Sequence, residues 1–196
     1  MTIPINPQRI TGNWLSGIAL DVHTVSSTYL GVNEAGHDVF DTTRSELGQL
    51  LYRLKYNGDR AAAKSIIAVA SEYLSTRRVK FDLIVPVPPS TVRAVQPVIL
   101  LAKGISAEIG VPISECVIAT RAAVQLKNVG DATKRKELLD GLYSVKSTDP
   151  KDKNILLFDD LFRSGATMNA ITDVLMEQGG AASVRAFAIT RTRSNQ

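Results

Sequence analysis

Two adjacent carboxylates and a hydroxyl-rich glycine turn are the residues of this sequence best suited to chemistry. Four apolar residues, Ile155 to Phe158, run directly into Asp159 and Asp160, and a turn follows that enters a helix near Thr167. The turn consists of Arg163, Ser164, Gly165, Ala166 and Thr167. Hydroxyl groups and the free amides of a helix start bind phosphate, and a glycine lets a ligand approach the main chain closely. The two carboxylates can accept hydrogen bonds from vicinal hydroxyls, so the segment predicts a site for a phosphorylated sugar.

A purely structural interpretation of the same residues stays open. An acidic pair can simply end a strand, and Ser-Gly-Ala-Thr can simply cap a helix. Other phosphate motifs do not fit the segment, because it lacks the Walker spacing with its lysine and the glycine triplet of a dinucleotide fold. The sequence also has no Gly-x-Ser-x-Gly elbow.

The elements that must position these residues are short apolar strands that alternate with helices. The predicted strands are 83–87, 114–119, 155–158 and 184–189, and the predicted helices are 95–109 and 167–178. Such alternation predicts an α/β fold with a mostly parallel sheet that is covered on both faces. Ligands of these sheets bind beyond the carboxyl ends of the strands.

The first part of the chain has a different pattern. Apolar residues alternate from Ile18 to Val22, and two further strand-like stretches flank the turn Asn33 to Gly36, which predicts a small antiparallel meander over residues 1–42. A capping-box pattern from Thr43 to Glu46 opens a helix that should end near Asn57-Gly58, and a second helix is predicted from Arg60 to about Thr76. We therefore expect a meander at 1–42, serving as a hood or dimer element, and a core domain at 43–196.

Composition restricts the classes of protein that the chain can represent. It has 196 residues, 44% of them hydrophobic, which suits one compact domain with a real core. Apolar runs such as Val98 to Ala102 are too short to span a bilayer, so we expect a cytoplasmic protein without membrane contact. Cys116 is the only cysteine and is expected in the core. The net charge of +4 favours anionic partners, and phosphate ligands explain it as well as nucleic acid does.

The segment Ile155 to Thr167 resembles the signature of type I phosphoribosyltransferases. A wider similarity links Leu54-Lys55-Tyr56 and Val85-Pro86-Val87-Pro88-Pro89 to the ComF-type, competence-associated branch of that family, although no cysteine-rich zinc knuckle precedes Thr43. The resemblance implies a type I phosphoribosyltransferase fold and a homodimer. It also implies that Asp159 and Asp160 hold the ribose hydroxyls of 5-phosphoribosyl 1-diphosphate, and that residues 163–167 wrap the 5-phosphate.

The resemblance extends the expected site to two further regions. One is the turn after the strand 83–87, where Pro89, Ser90, Thr91 and Arg93 occupy the place at which the family grips the diphosphate. The other is the basic segment between residues 119 and 139, at the position of the family's catalytic lid, where Arg121 and Lys127 are the candidate substrate contacts. Proline stiffening of a turn and a solvated run of charge are the structural alternatives.

The resemblance implies transfer of a ribose 5-phosphate group to a nitrogenous acceptor. Asp159, Asp160 and Arg93 would be catalytic, and Mg²⁺ would reach the two carboxylates indirectly, through ribose and diphosphate oxygens. Two alternatives stay open: a regulatory module that binds ribose phosphate or a nucleotide without turnover, and a competence-type accessory protein for DNA uptake.

Overall fold

Helices and parallel strands alternate through most of this computed structural model, which describes residues 3–90, 96–120, 139 and 141–193. Within those residues the strands are β1 (Gln8–Arg9), β2 (Ser16–Val22), β3 (Thr24–Val32), β4 (Asp38–Arg44), β5 (Leu83–Pro86), β6 (Val117–Ala119), β7 (Tyr143–Val145), β8 (Asn154–Phe162) and β9 (Ser183–Arg191). The helices are α1 (Glu46–Asn57), α2 (Arg60–Ser75), α3 (Pro97–Ile109) and α4 (Ala166–Glu177). No helix of the described residues is long and apolar enough to cross a membrane.

The central sheet has the strand order β1-β2-β9-β8-β5. Strands β2, β9, β8 and β5 are mutually parallel, and β1 is antiparallel to β2 at the edge. One face packs on α1, α2 and α3, and the other packs on α4, so that a separate apolar core lies on each face. The predicted α/β fold with a mostly parallel, doubly covered sheet is confirmed.

The helices α1 and α2 begin and end where local signals place them. Ser45 accepts a hydrogen bond from the Gly48 amide at the start of α1, and Gly58 ends this helix with a φ of 64°. The Asp59 side chain then caps α2. The capping residue of α1 is therefore Ser45 rather than Thr43, because Thr43 still pairs with the neighbouring strand β3.

The strand Ser16–Val22 departs from the predicted meander. It pairs in parallel with β9 in the central sheet, and only β3 and β4 form an antiparallel pair. The alternation suggested a half-buried strand, but Ala19 and Asp21 are buried as well as Leu20, as an inner strand requires. The small antiparallel unit is thus the hairpin 24–44. β2 is an inner strand of the central sheet, and its carboxyl end lies on the same side of the sheet as that of β9.

The predicted strand 114–119 is also placed differently. Only Val117–Ala119 is extended, and it pairs antiparallel with β7 in a small separate sheet. The chain just before it contacts the central sheet, where Ile113 forms a parallel bridge with Ile84 of β5. Two of its three residues are exposed, so it lacks the double burial of an inner strand.

Candidate functional site

The acidic pair lies at the carboxyl end of β8, inside the strand rather than after it as predicted. Strand residues alternate between faces, and Leu157 belongs to the core beneath α4 whereas Phe158 belongs to the core beneath α1. Asp159 therefore leaves the sheet toward α4, and Asp160 leaves it toward α1. The two carboxylates sit on opposite sides of the sheet edge and have different neighbours.

The neighbour of Asp160 is Lys55, which lies on α1. The Lys55 Nζ is 2.8 Å from the Asp160 Oδ1, and the two side chains are only 17% and 14% exposed. Lys55 reaches this point because Leu51 and Leu54 turn the apolar face of α1 onto the sheet, which leaves Lys55 at the border of the buried stripe. The ion pair connects a helix to a strand that lies 105 residues away in the chain.

The Asp159 carboxylate is hydrogen-bonded to main-chain amides instead. One of its carboxylate oxygens accepts a hydrogen bond from the Asp160 amide at 2.8 Å, and the Leu161 amide also donates to the carboxylate. Burial, followed by the charge of Asp160, raises the pKa of Asp159 to about 7, although Lys55 and the two amides act in the opposite direction. Near neutral pH the pair therefore consists of one paired carboxylate and one that still binds a proton for part of the time.

The predicted phosphate turn follows β8 directly. Arg163 and Ser164 are exposed, whereas Gly165 is buried with a φ of 78°. A Cβ at Gly165 would lie 3.1 Å from the ring of Phe162 and 3.4 Å from the ring of Trp14, so these two rings support the turn from beneath. The N-cap residue of α4 is Gly165, which has no side chain to cap the first turn, in contrast to Ser45 at α1 and Asp59 at α2. The amides of the first turn of α4 are available to an anion.

A tyrosine that the sequence analysis did not single out lies beside this turn. Tyr143 on β7 is buried, and its hydroxyl forms a hydrogen bond with that of Thr167. Burial raises the pKa of Tyr143, and the charge of Asp159 acts in the same direction. β7 is thereby joined to the start of α4, at the point where the chain returns from the segment predicted to form a lid.

His23, at the carboxyl end of β2, is a second residue that sequence patterns missed. Its Nδ1 lies 3.1 Å from the Thr190 hydroxyl oxygen on β9. Burial, then the charges of Lys55 and Arg44, lower the pKa of His23 to about 4, so the imidazole is neutral at neutral pH. No local signal identifies His23, because its place beside the acidic pair depends on β2 pairing with β9. Lys55, in contrast, carried a signal in the Leu-Lys-Tyr segment.

The remaining predicted site residues lie beside the strand β5 or outside the residues that the structure describes. Pro89 and Ser90 are exposed just beyond the carboxyl end of β5, which pairs with β8. Pro89 lines a cleft of about 250 Å³ together with residues of α3 and β6, and Glu115 and Lys146 stand in its wall. Thr91, Arg93, Arg121 and Lys127 lie outside the described residues. Their roles, and those of the residues at the acidic pair and the turn, stay predictions.

Comparisons with known proteins agree with this arrangement. Residues 56–196 match the phosphoribosyl transferase domain family. The chain is 29% identical over 161 residues to the competence protein ComFC of Bacillus subtilis, an alignment that covers 77% of this chain and 62% of that protein. The chain therefore spans less than two thirds of the length of this relative.

Solved structures show the same fold at low sequence identity. The adenine phosphoribosyl transferase of Trypanosoma brucei, solved with AMP, pyrophosphate and ribose-5-phosphate, is 14% identical with a TM-score of 0.52, over 95% of this chain and 75% of that one. The adenine phosphoribosyltransferase of Leishmania tarentolae is 12% identical with a TM-score of 0.50, over 95% and 94% of the two chains. By its matched domain, its sheet and its likeness to ComFC, this chain belongs to the phosphoribosyl transferase domain family, as a type I member of the ComF-like branch.

Proposed function

We propose that the protein binds 5-phosphoribosyl 1-diphosphate and transfers its ribose 5-phosphate group to a nitrogenous acceptor. The observation that carries this proposal is the succession at one sheet edge of a paired carboxylate, a buried glycine turn and a helix start whose N-cap residue is that glycine. The spacing suits a ligand with a sugar diol at one end and a phosphate at the other. Membership of the family and the ligands of the Trypanosoma brucei enzyme support the same ligand class.

Each group of the proposed site has a separate role. Amides of the first turn of α4, with the hydroxyls of Ser164 and Thr167, hold the 5-phosphate. Asp160 accepts a hydrogen bond from a ribose hydroxyl through the oxygen that does not face Lys55, and Asp159 accepts one while it is ionised. The diphosphate extends from the ribose toward β5, where the Ser90 hydroxyl donates a hydrogen bond to it. The further proposed contacts to the diphosphate lie outside the described residues; they are Thr91, Arg93, Arg121 and Lys127.

The reaction exchanges one bond at the anomeric carbon for another. The acceptor nitrogen forms a bond to this carbon with its lone pair, and the carbon–oxygen bond to diphosphate breaks, so that diphosphate leaves with the bonding electrons. Positive charge develops on the sugar ring, and in this proposal the negative charge of the Asp160 carboxylate stabilises it. A protonated acceptor then releases its proton to water or to the leaving diphosphate. The protein contributes mainly positioning and electrostatics.

Mg²⁺ fits this site only together with the ligand. Among the described residues there is no group of three or more histidine, cysteine or carboxylate side chains that would hold an ion, and one oxygen of Asp160 is already paired with Lys55. Mg²⁺ usually takes substrate phosphates among its ligands, so Asp159 and Asp160 would act on the ion indirectly, through the bound ligand. When bound through diphosphate and ribose oxygens, the ion would neutralise the charge of the leaving group.

The acidic pair is tested by Asp160→Asn. We expect the affinity for 5-phosphoribosyl 1-diphosphate, measured by calorimetry, to fall roughly 10- to 100-fold, because a hydrogen bond to a charged acceptor is worth about 1.5–3 kcal/mol. Asp152→Asn is the matched control, since Asp152 is exposed in the turn before β8, at the opposite end of this strand. An affinity unchanged by Asp160→Asn would remove the acidic pair from the proposed site.

Transfer is tested separately from binding. Diphosphate release is measured with a panel of purine and pyrimidine bases and amines, in the presence of Mg²⁺. We expect release with at least one acceptor and none with Asp160→Asn. Tight binding of 5-phosphoribosyl 1-diphosphate without release for every acceptor would contradict transfer and would indicate a binding module.

A further inference from the structure

The ion pair between Lys55 and Asp160 places a cation at the predicted sugar site before any ligand is present. The two atoms that meet are 2.8 Å apart, and both side chains are largely removed from water. A partly buried ion pair of this kind is costly to break, because either charge alone would be left poorly solvated. The orientation of Asp160 is therefore fixed in advance, which is the requirement for a preorganised ligand contact.

The ion pair gives the two oxygens of the Asp160 carboxylate different roles. The Lys55 Nζ donates a hydrogen bond to one oxygen of this carboxylate, Oδ1. An ionised carboxylate offers about four lone-pair positions over its two oxygens, so the second oxygen keeps its capacity to accept from a hydroxyl. Lys55 thus restrains the group without occupying all of it.

The charged neighbourhood explains why a cation is needed at this point. Asp159 adds negative charge from the same strand, whereas His23 is a neutral imidazole at the end of β2, with Arg44 and Arg163 at longer range. Without the Lys55 ammonium, the carboxylate of Asp160 would lose its counter-ion and the restraint on its orientation. Lys55 makes the direct ion pair with the acidic pair.

We propose that Lys55 is a positioning residue for the sugar: its ion pair with Oδ1 holds the Asp160 carboxylate so that the second oxygen is directed toward a ribose hydroxyl of the ligand. This inference rests on the proposed ribose-phosphate site and adds a residue outside the acidic segment and the turn. Lys55 acts through Asp160 and not through the phosphate. Its removal should consequently affect ligands that carry the diol, and spare ligands that carry phosphate alone.

The test compares two ligands on the full chain. Calorimetric affinities are measured for ribose 5-phosphate and for inorganic phosphate with the wild type, Lys55→Met, Asp160→Asn and the double variant. We expect Lys55→Met to weaken ribose 5-phosphate binding about tenfold or more and inorganic phosphate binding less than about twofold. In the Asp160→Asn background, Lys55→Met should change the ribose 5-phosphate affinity less than about twofold, because the two residues act as a unit. Lys64→Met, an exposed lysine on α2, is the charge-matched control and should leave both affinities unchanged.

The outcomes separate this proposal from the one on which it rests. A wild type that does not bind ribose 5-phosphate would contradict the proposed site itself. A wild type that binds it, with equal losses for both ligands in Lys55→Met, would overturn the positioning role and indicate a general structural one. If Lys55→Met does not fold, the double variant is compared with Asp160→Asn, because the double variant leaves no unpaired buried charge. A further tenfold loss of ribose 5-phosphate affinity in the double variant would show that Lys55 acts independently of Asp160, and would also overturn the proposal.

Discussion

At the scale of single residues, two neighbouring aspartates acquire different chemistry from their surroundings. Asp160 is held by a lysine in an ion pair, whereas Asp159 turns back to its own backbone and, because burial raises its pKa, retains a proton to higher pH. The difference arises because consecutive strand residues leave the sheet on opposite faces. Identical side chains therefore acquire different surroundings from the alternation of side chains along one strand.

This asymmetry predicts the pH dependence of stability. The pKa of Asp159 is raised from 3.8 to about 7 in the folded state, so between these values the folded protein holds a proton that the unfolded chain releases. The free energy of unfolding should consequently fall as pH rises from about 4 to 7. Asp159→Asn removes this contribution, and we expect the variant to gain stability relative to the wild type at pH 8 but little at pH 4.

The measurement is urea unfolding of both proteins at several pH values. Subtraction of the two curves isolates Asp159 from other titrating groups, such as His23, whose lowered pKa gives stability that rises with pH. Asp152→Asn serves as the control and should follow the wild type. A difference between wild type and Asp159→Asn that does not vary with pH would contradict the raised pKa.

At the scale of elements, the turn between β8 and α4 depends on a glycine that two aromatic rings hold in place. Trp14 and Phe162 meet edge to face with ring centroids 6.1 Å apart, and both rings lie under Gly165. The positive φ and the close rings each disfavour a side chain at this position. The shape of the turn is therefore set by packing from beneath and not by a capping side chain.

Gly165→Ala tests this turn. A non-glycine residue in the left-handed region costs roughly 1–2 kcal/mol, and the Phe162 ring must also shift, so we expect a lower melting temperature together with weaker inorganic phosphate binding. Gly36→Ala is the matched control, because Gly36 has the same φ of 78° but no atom near its added Cβ. The control should pay the backbone cost alone and leave phosphate affinity unchanged; equal phosphate affinities in both variants would contradict the role of the turn.

At the scale of the whole molecule, the hairpin 24–44 stands apart from the core. Tyr29 and Phe40 form a cross-strand pair with ring centroids 5.4 Å apart, yet each is more than half exposed. An isolated two-stranded ribbon contributes little to stability. We propose that it serves the molecule as a hood over the acceptor or as a homodimer element, while the central sheet and its helices hold the ribose phosphate.

Replacement of residues 27–42 by an Asn-Gly turn separates these functions. Ser26 and Thr43 are paired across the hairpin, so a two-residue loop can join them. We expect the melting temperature to change by less than about 5 °C, which corresponds to roughly 1–3 kcal/mol in a domain of this size. We also expect ribose 5-phosphate affinity within about twofold of the wild type, and loss of diphosphate release or of a dimer in light scattering. A large loss of ribose 5-phosphate affinity would place the hairpin in the sugar site.

The sequence by itself determined the features that depend on neighbouring residues. The helix end near Gly58 and the new helix start at Arg60 follow from local signals, and an apolar run followed by a glycine turn predicts the step from β8 to α4. These signals are local, because a cap or a turn satisfies backbone groups within a few residues. The chemistry-bearing segment could therefore be recognised without knowledge of the fold.

Only the tertiary structure decided which distant residues surround that segment. The pairing of β2 with β9 brings His23 to the sheet edge, and the packing of α1 brings Lys55 to Asp160 across 105 residues. Alternation alone misassigned β2, because an inner strand is recognised by burial on both faces and not by its period. Which strand lies beside which depends on burial of the whole sheet, so the residues that tune the acidic pair became visible only in three dimensions.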